Sequence, residues 1–177
     1  MTPRGFAHAT VDSARDDAAI STLSAIDTAT TDAFATALRG FTDTAMAIAT
    51  ASDWNVMSAA RDSADVFYNS AFRDLGDFLT SVTTGNVSAA LASAAQTALT
   101  HYQDMIVNNY STARESGTGL HVYMPTGSFR SFYAATSFNV ATGWQTFVRE
   151  LQSSDTRAAS GDGRLLDLWG APALMTI

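Results

Sequence analysis

The sequence predicts a predominantly α-helical chain with two or more short strands, an α+β fold. Three observations carry that reading. Apolar residues recur every three or four positions along most of the chain, as on helices with one buried face. Two stretches, 19–27 and 119–125, break that rhythm and read as strands. A hydrophobic content of 46% against 15% charged supplies a core and argues against disorder.

In order, Thr2-Pro3 offers an N-cap and a first helical residue, predicting a short helix to about Arg15. "AISTLSAID" follows, with Ile20, Leu23 and Ile26 on a short, mostly buried strand. Phe34, Leu38, Phe41, Ala45 and Ile48 then mark an amphipathic helix. Met57, Ala60, Ala64 and Phe67 repeat the pattern after Asp53, a candidate cap. In "DLGDFLTSV", Leu75, Phe78, Leu79 and Val82 share a helical face that Gly85 closes.

The longest helix is expected from Asn86 to Asn109, along Val87, Leu91, Ala94, Ala98, Tyr102 and Met105, with an Ala-rich middle suited to a close helix neighbour. "GLHVYMP" switches to a period of two: Leu120, Val122 and Met124 face one way, His121 and Tyr123 the other, and Pro125 ends the strand. A last helix carries Val140, Trp144, Phe147, Val148 and Leu151. The chain then divides into a main region, 1–152, and a segment 153–177 of loop chemistry and short apolar tail, either the start of another unit or a strand that docks back. Two lone strands cannot form a stable sheet, so they must pair with each other or with strands outside this chain.

Composition excludes several function classes. The net charge is −7, and the ten basic residues are all Arg, spread from Arg4 to Arg164. Without a basic stripe to neutralise phosphates, nucleic acid is not an expected partner. No apolar run approaches the roughly 20 residues that span a bilayer, and the N-terminal residues lack the apolar core of a signal peptide. Localisation is left open. There is no cysteine, which excludes disulfides, thiolate metal sites and thiol nucleophiles within these residues.

No catalytic, metal or cofactor residue is assigned. The Ser and Thr residues have no nucleophile context, and His8, His101 and His121 lack metal-ligand spacing. His121 is expected in polar packing beside Tyr123. Asp74 and Asp77 lie a turn apart where a helix begins, which fits capping, and Asp27 should serve the turn after its strand. Arg61 and Asp65 have the spacing of an i,i+4 ion pair. "GTG" and "GDG" read as turns, and the sequons at Asn86 and Asn109 carry no weight. Phe129, Phe132, Tyr133, Phe138 and Trp144 are the densest aromatic group. They are expected to pack between the last strand and helix, or else to form an apolar docking surface.

Three segments together resemble the clostripain family of cysteine peptidases: "TLSAIDTATTDAFATALRGF", "ARDSADVFYNSAFRDLGDFL" and "GLHVYMPTGSFRSFYAATSFNVATGWQTFV". The family has an L-S-A-I-D-like strand leading into a helix, a D-L-G-D-F-like segment, and a G-L-S-I-Y-F-P-like strand before a Trp-containing helix. "MTPRGFAHATVDS" resembles the helix that precedes L-S-A-I-D there. Order and approximate spacing agree over most of residues 1–150. The resemblance implies the C-terminal helical region of a caspase-like α/β peptidase with a parallel sheet. The family's His, in a D-H-G-like motif, and its Cys, in a D-x-C-L-M-like motif, precede L-S-A-I-D; neither motif is present here.

The expectation is therefore a non-catalytic C-terminal portion of a clostripain-like peptidase that supports the core. Its partner would be the catalytic N-terminal half, or a second copy in a homo-oligomer. The intact family enzyme cleaves after basic residues and is often secreted or at the cell envelope. On this reading both strands should keep unpaired edges. The alternative is a free-standing helical interaction or scaffold module whose helices bury both strands without a partner.

Overall fold

The computed structural model describes residues 6–9, 22–66, 69–111 and 117–160, with backbone alone at 6–9, 22–23 and 110–111. Among them the chain is mostly helical, with two small antiparallel sheets. Strand β1 (Phe6–Ala9) pairs with β2 (Thr22–Asp27), placing Phe6 opposite Asp27. Helices α1 (Thr31–Ile48) and α2 (Ala51–Ser63) follow, then β3 (Phe72–Asp74), α3 (Leu75–Thr84) and α4 (Ala89–Met105). Strand β4 (Ile106–Ser111) returns to the second edge of β2, with a bulge between Ala25 and Ile26. Strand β5 (His121–Tyr123) pairs with β3, and α5 (Ser131–Ala134), α6 (Ser137–Thr142) and α7 (Trp144–Ser160) complete the order.

The helical periods predicted the buried faces well. Phe34, Leu38, Phe41 and Ala45 of α1 are buried, as are Leu75, Phe78, Leu79 and Val82 of α3. Helix α4 packs against both α1 and α3, and its small residues Ala95 and Ala98 are fully buried. On the other side α2 meets α3 and α7. Phe41, Trp54, Phe78, Trp144 and Phe147 interlock there; Phe41 and Phe147 have ring centroids 5.4 Å apart, and the Phe78 and Trp144 rings meet edge to face at 90°. Such pairs add about 0.5–1.5 kcal/mol each beyond the burial of their area.

Several expectations are corrected. Residues 6–9 form a strand, not part of a helix from Thr2 to Arg15; the rest of that segment lies outside the described residues. The helix expected over 86–109 starts at Ala89, stops at Met105 and gives way to β4; α1, at 18 residues, is longer than α4, at 17. Ile48, placed on the buried face of α1, is 48% exposed in the last turn. Phe67 lies outside the described residues.

The last helix is two. Gly143 adopts φ 68°, a left-handed conformation that costs a side chain but not glycine, and it separates α6 from α7. Val140, on α6, is 73% exposed instead of sharing the α7 face. Helix α7 then runs across the expected boundary at 152/153 as far as Ser160, and residues 161–177 lie outside the described residues.

The two strands read from sequence do not pair with each other; among the described residues each has a different partner within the chain. Strand β2 is the middle strand of its sheet, and β5 has β3 on one side. On the other side the Trp144 indole Nε1–H donates to the Tyr123 carbonyl at 3.1 Å. The alternation read for "GLHVYMP" is present in part: Val122 and Met124 are buried, whereas Leu120, read on the same face, is intermediate like His121 and Tyr123.

Candidate functional site

Among the described residues, polar or aromatic side chains converge in two places. One is a buried polar junction around Asp74. The other is an aromatic groove beside the β3–β5 hairpin.

Asp74 ends β3 and is the N-cap of α3, accepting from the Asp77 N–H at 2.9 Å. The capping reading holds, but it is only part of the role. Asp74 is completely buried and also accepts from the Thr118 N–H at 2.7 Å and from the Thr118 hydroxyl. His121 Nε2 lies 4.0 Å from its Oδ2, and the His121 side chain is 7% exposed, so polar packing describes it. Tyr102 adds a second tie: its hydroxyl meets Thr118 Oγ1 at 3.2 Å and accepts from the Leu120 N–H at 2.8 Å. Burial, with the negative charge of Asp74, pushes the Tyr102 phenol well above its ordinary pKa.

This arrangement locks 117–121 onto α3 and α4. It also explains Gly76, where a Cβ would collide with the Thr118 hydroxyl and the Tyr102 ring. Asp77 accepts from the Asp65 N–H at 3.3 Å; burial first, then the charge of Asp74, raises its pKa. A shallow cavity of 280 Å³ opens beside Gly76, Tyr102 and Thr118. The Thr118 hydroxyl there donates to Asp74 and lies 3.2 Å from the Tyr102 hydroxyl.

The other candidate residues fall to structural roles. Asp27 Oδ1 accepts from the Ala29 N–H at 2.9 Å, the turn expected for it. Asp53 is not the cap of α2. Thr50 is, and Asp53 at the third helical position completes a capping box with it. Asp53 also receives the Ser88 N–H at 2.8 Å, tying α2 to the start of α4. Burial opposes its ionisation, yet the hydrogen bonds from Thr50 and Ser88 outweigh that and hold its pKa below the usual value.

Arg61 does not take Asp65 as its salt-bridge partner. Its nearly buried guanidinium pairs with Asp62 at 2.8 Å and with Asp155 of α7 at 2.7 Å, and donates to Ser58. Those contacts outweigh burial and raise its pKa. No group of three His, Asp or Glu side chains suited to a metal ion occurs among the described residues. His101 is half-buried on α4, and the side chain of His8 lies outside the description.

The aromatic group is divided. Trp144 is in the core, Phe129 is buried beneath Tyr123, and Phe138 packs on Trp144. Tyr123 and Tyr133 stack with centroids 4.0 Å apart, and Phe72 abuts both at 5.4 and 5.7 Å. Phe132 leans on Tyr133 at 4.4 Å yet is 66% exposed. Together with Asn69, Ser70 and the 125–130 turn, these rings line an open groove of 610 Å³. Gln152 of α7 fixes the turn by donating to the Pro125 and Gly127 carbonyls.

Phe72 and Tyr123 were missed in the sequence as members of this group. Phe72 sits in a strand of three residues, too short to show a period, and reaches Tyr123 only through cross-strand pairing. Comparison with family models, curated proteins and solved structures finds no match to this chain.

Proposed function

We propose that this chain is a non-catalytic helical interaction module that folds without a partner and binds through its aromatic groove. What supports the reading is the fate of the strand edges. An open half of a shared sheet would leave β2 and β5 waiting for strands from elsewhere. Here β2 has a neighbour on each side, and β5 has β3 on one side and the Trp144 indole on the other. Among the described residues the outer strands β1 and β4 each have one neighbour, so the support is that β2 and β5 find their partners within the chain. The aromatic groove, with Phe132 exposed at its side, is the surface we assign to the contact.

The second reading is the C-terminal brace of a clostripain-like peptidase. The order of its three family-like segments favours it, whereas the antiparallel pairing of every described strand departs from a caspase-like parallel sheet.

The experiment is light scattering on the purified 18.7 kDa chain, together with urea unfolding and an assay on an arginyl peptide substrate. The module reading expects a monomer, one cooperative transition and no hydrolysis. Recovery only as aggregates, cured by co-expression with a chain carrying Cys and His, would sink it and favour the brace. Hydrolysis by the pure chain would sink both.

A further inference from the structure

One peptide bond at the Asp74 junction, Gly117–Thr118, is contacted on both of its sides. Asp74 faces the two Thr118 atoms that bear on that bond. Its Oδ1 accepts from the Thr118 hydroxyl, and its Oδ2 accepts from the Thr118 N–H at 2.7 Å. The Tyr102 hydroxyl, 3.2 Å from Thr118 Oγ1, fixes the threonine side chain further. On the other side of the bond, the Gly117 carbonyl oxygen accepts from the Asn109 side-chain amide at 2.6 Å. Asn109 is itself oriented, because its Oδ1 accepts from the hydroxyl of buried Ser24 at 2.6 Å.

Each contact has a use in the fold. Their convergence on one peptide bond adds chemistry. A hydroxyl, a carboxylate against its proton and a carbonyl polarised by a positioned donor are the parts of acyl transfer. No separate substrate has to be bound. Thr118 Oγ1 and the Gly117 carbonyl carbon are already linked through N, Cα and Cβ, so attack closes a five-membered ring within the chain. Reactions between groups held in this way gain most from proximity.

We propose that the chain cleaves itself at Gly117–Thr118 through an acyl shift. Thr118 Oγ1 attacks the Gly117 carbonyl carbon as its proton passes to Asp74, and Asn109 donates to the oxyanion that forms. The C–N bond then breaks, and Asp74 returns the proton to the departing nitrogen. The product is an ester between Gly117 and Thr118 Oγ1, with a free Thr118 amino group. Water enters from the cavity lined by Gly76, Tyr102 and Thr118, and hydrolysis leaves a Gly117 carboxylate and a restored hydroxyl. This goes beyond the interaction-module reading, since it acts once, on the chain itself, with water as the second reactant. The pieces 1–117 and 118–177 stay together, because β5 pairs with β3 and Trp144 and Phe147 lie in the core.

The test is intact mass spectrometry of the purified full chain during incubation at neutral pH, with and without hydroxylamine, in buffer and in urea. The folded chain should release 118–177 under denaturing analysis, with Thr118 at its N-terminus. Hydroxylamine should speed the release and leave a hydroxamate on Gly117, whereas chain unfolded in urea should stay whole. Thr118→Val should stay whole and Thr118→Ser should still cleave. Asn109→Ala, with its fold checked by urea unfolding, should cleave about a hundredfold more slowly. A folded unmutated chain that stays whole in hydroxylamine would overturn the inference without recourse to any variant. Cleavage only at another bond, cleavage that persists in Thr118→Val, or an unchanged rate in Asn109→Ala would overturn it as well.

Discussion

The Asp74 junction and the aromatic groove lie at opposite ends of one hairpin and treat their polar groups in opposite ways. At the junction, Asp74 is fully buried and collects donors from Asp77 and Thr118, while Tyr102 holds Thr118 and Leu120. At the groove Gln152 reaches the Pro125 and Gly127 carbonyls, while the N–H groups and carbonyls of Thr126 and Ser128 have no partner among the described residues. A buried donor or acceptor without a partner costs about 1–3 kcal/mol, so the first pattern is what a fold requires. Unpartnered donors and acceptors on an open surface are satisfied by water at little cost. The contrast separates the part that holds the chain together from the part that faces outward.

Breaking the junction should have a large effect. Asp74→Ala strands the Thr118 N–H and the α3 cap in a dry site, and should lower stability by about 3 kcal/mol in urea unfolding. Asp74→Asn keeps acceptor capacity and should cost less, which separates lost hydrogen bonds from lost charge. Gly76→Ala comes next, at about 2 kcal/mol, because its Cβ must displace the Thr118 hydroxyl or the Tyr102 ring. A neutral outcome for either Asp74→Ala or Gly76→Ala would mean that 117–121 does not sit against α3 as described.

How much of this could be read in the chain depends on length and distance. The faces of α1, α3 and α4 were legible because each repeats a period over several turns. Strand β4 was not, since Ile106 and Val107 continue the apolar character of α4 and nothing local signals the switch. The Pro3 helix signal obscured β1. At the site, aromatic density was visible, but the difference between Trp144 and Phe132 was not. That difference arises because Trp144 opens a long helix packed on α2, whereas Phe132 sits on a single turn with little to cover it. The setting of the 125–130 turn depends on Gln152 reaching back to the Pro125 and Gly127 carbonyls, a long-range contact with no sequence signature.

Two carboxylates sharpen the comparison through pH. The pKa of Asp53 is depressed in the fold, so its contribution is present above its unfolded value of about 3.9 and is lost as pH falls through the folded one. Asp53→Ala should cost about 1 kcal/mol at pH 7, through the capping box and the Ser88 tie, and progressively less in acid. Asp77 has the opposite sign. Its raised folded pKa means that protonation favours the fold, a contribution present below the unfolded value and lost as pH rises through the folded one. Asp77→Asn should therefore be stabilising at pH 7 and lose that advantage toward acid pH. The same slope in both variants' unfolding curves against pH would contradict the assigned causes.

The smallest expected effect is the most informative about the groove. Phe132 is 66% exposed, touches Tyr133 on one face and belongs to no buried cluster. Phe132→Ala should change stability by no more than about 0.5 kcal/mol, as surface substitutions do. Trp144→Ala, at the other end of the aromatic series, should cost about 3–5 kcal/mol, because it empties the core and frees the Tyr123 carbonyl. If Phe132→Ala proved comparably destabilising, the ring would be part of the packing and the groove would be a closed surface. A silent Phe132→Ala leaves an aromatic ring held in water without benefit to the fold, the condition under which its place is explained by what it binds.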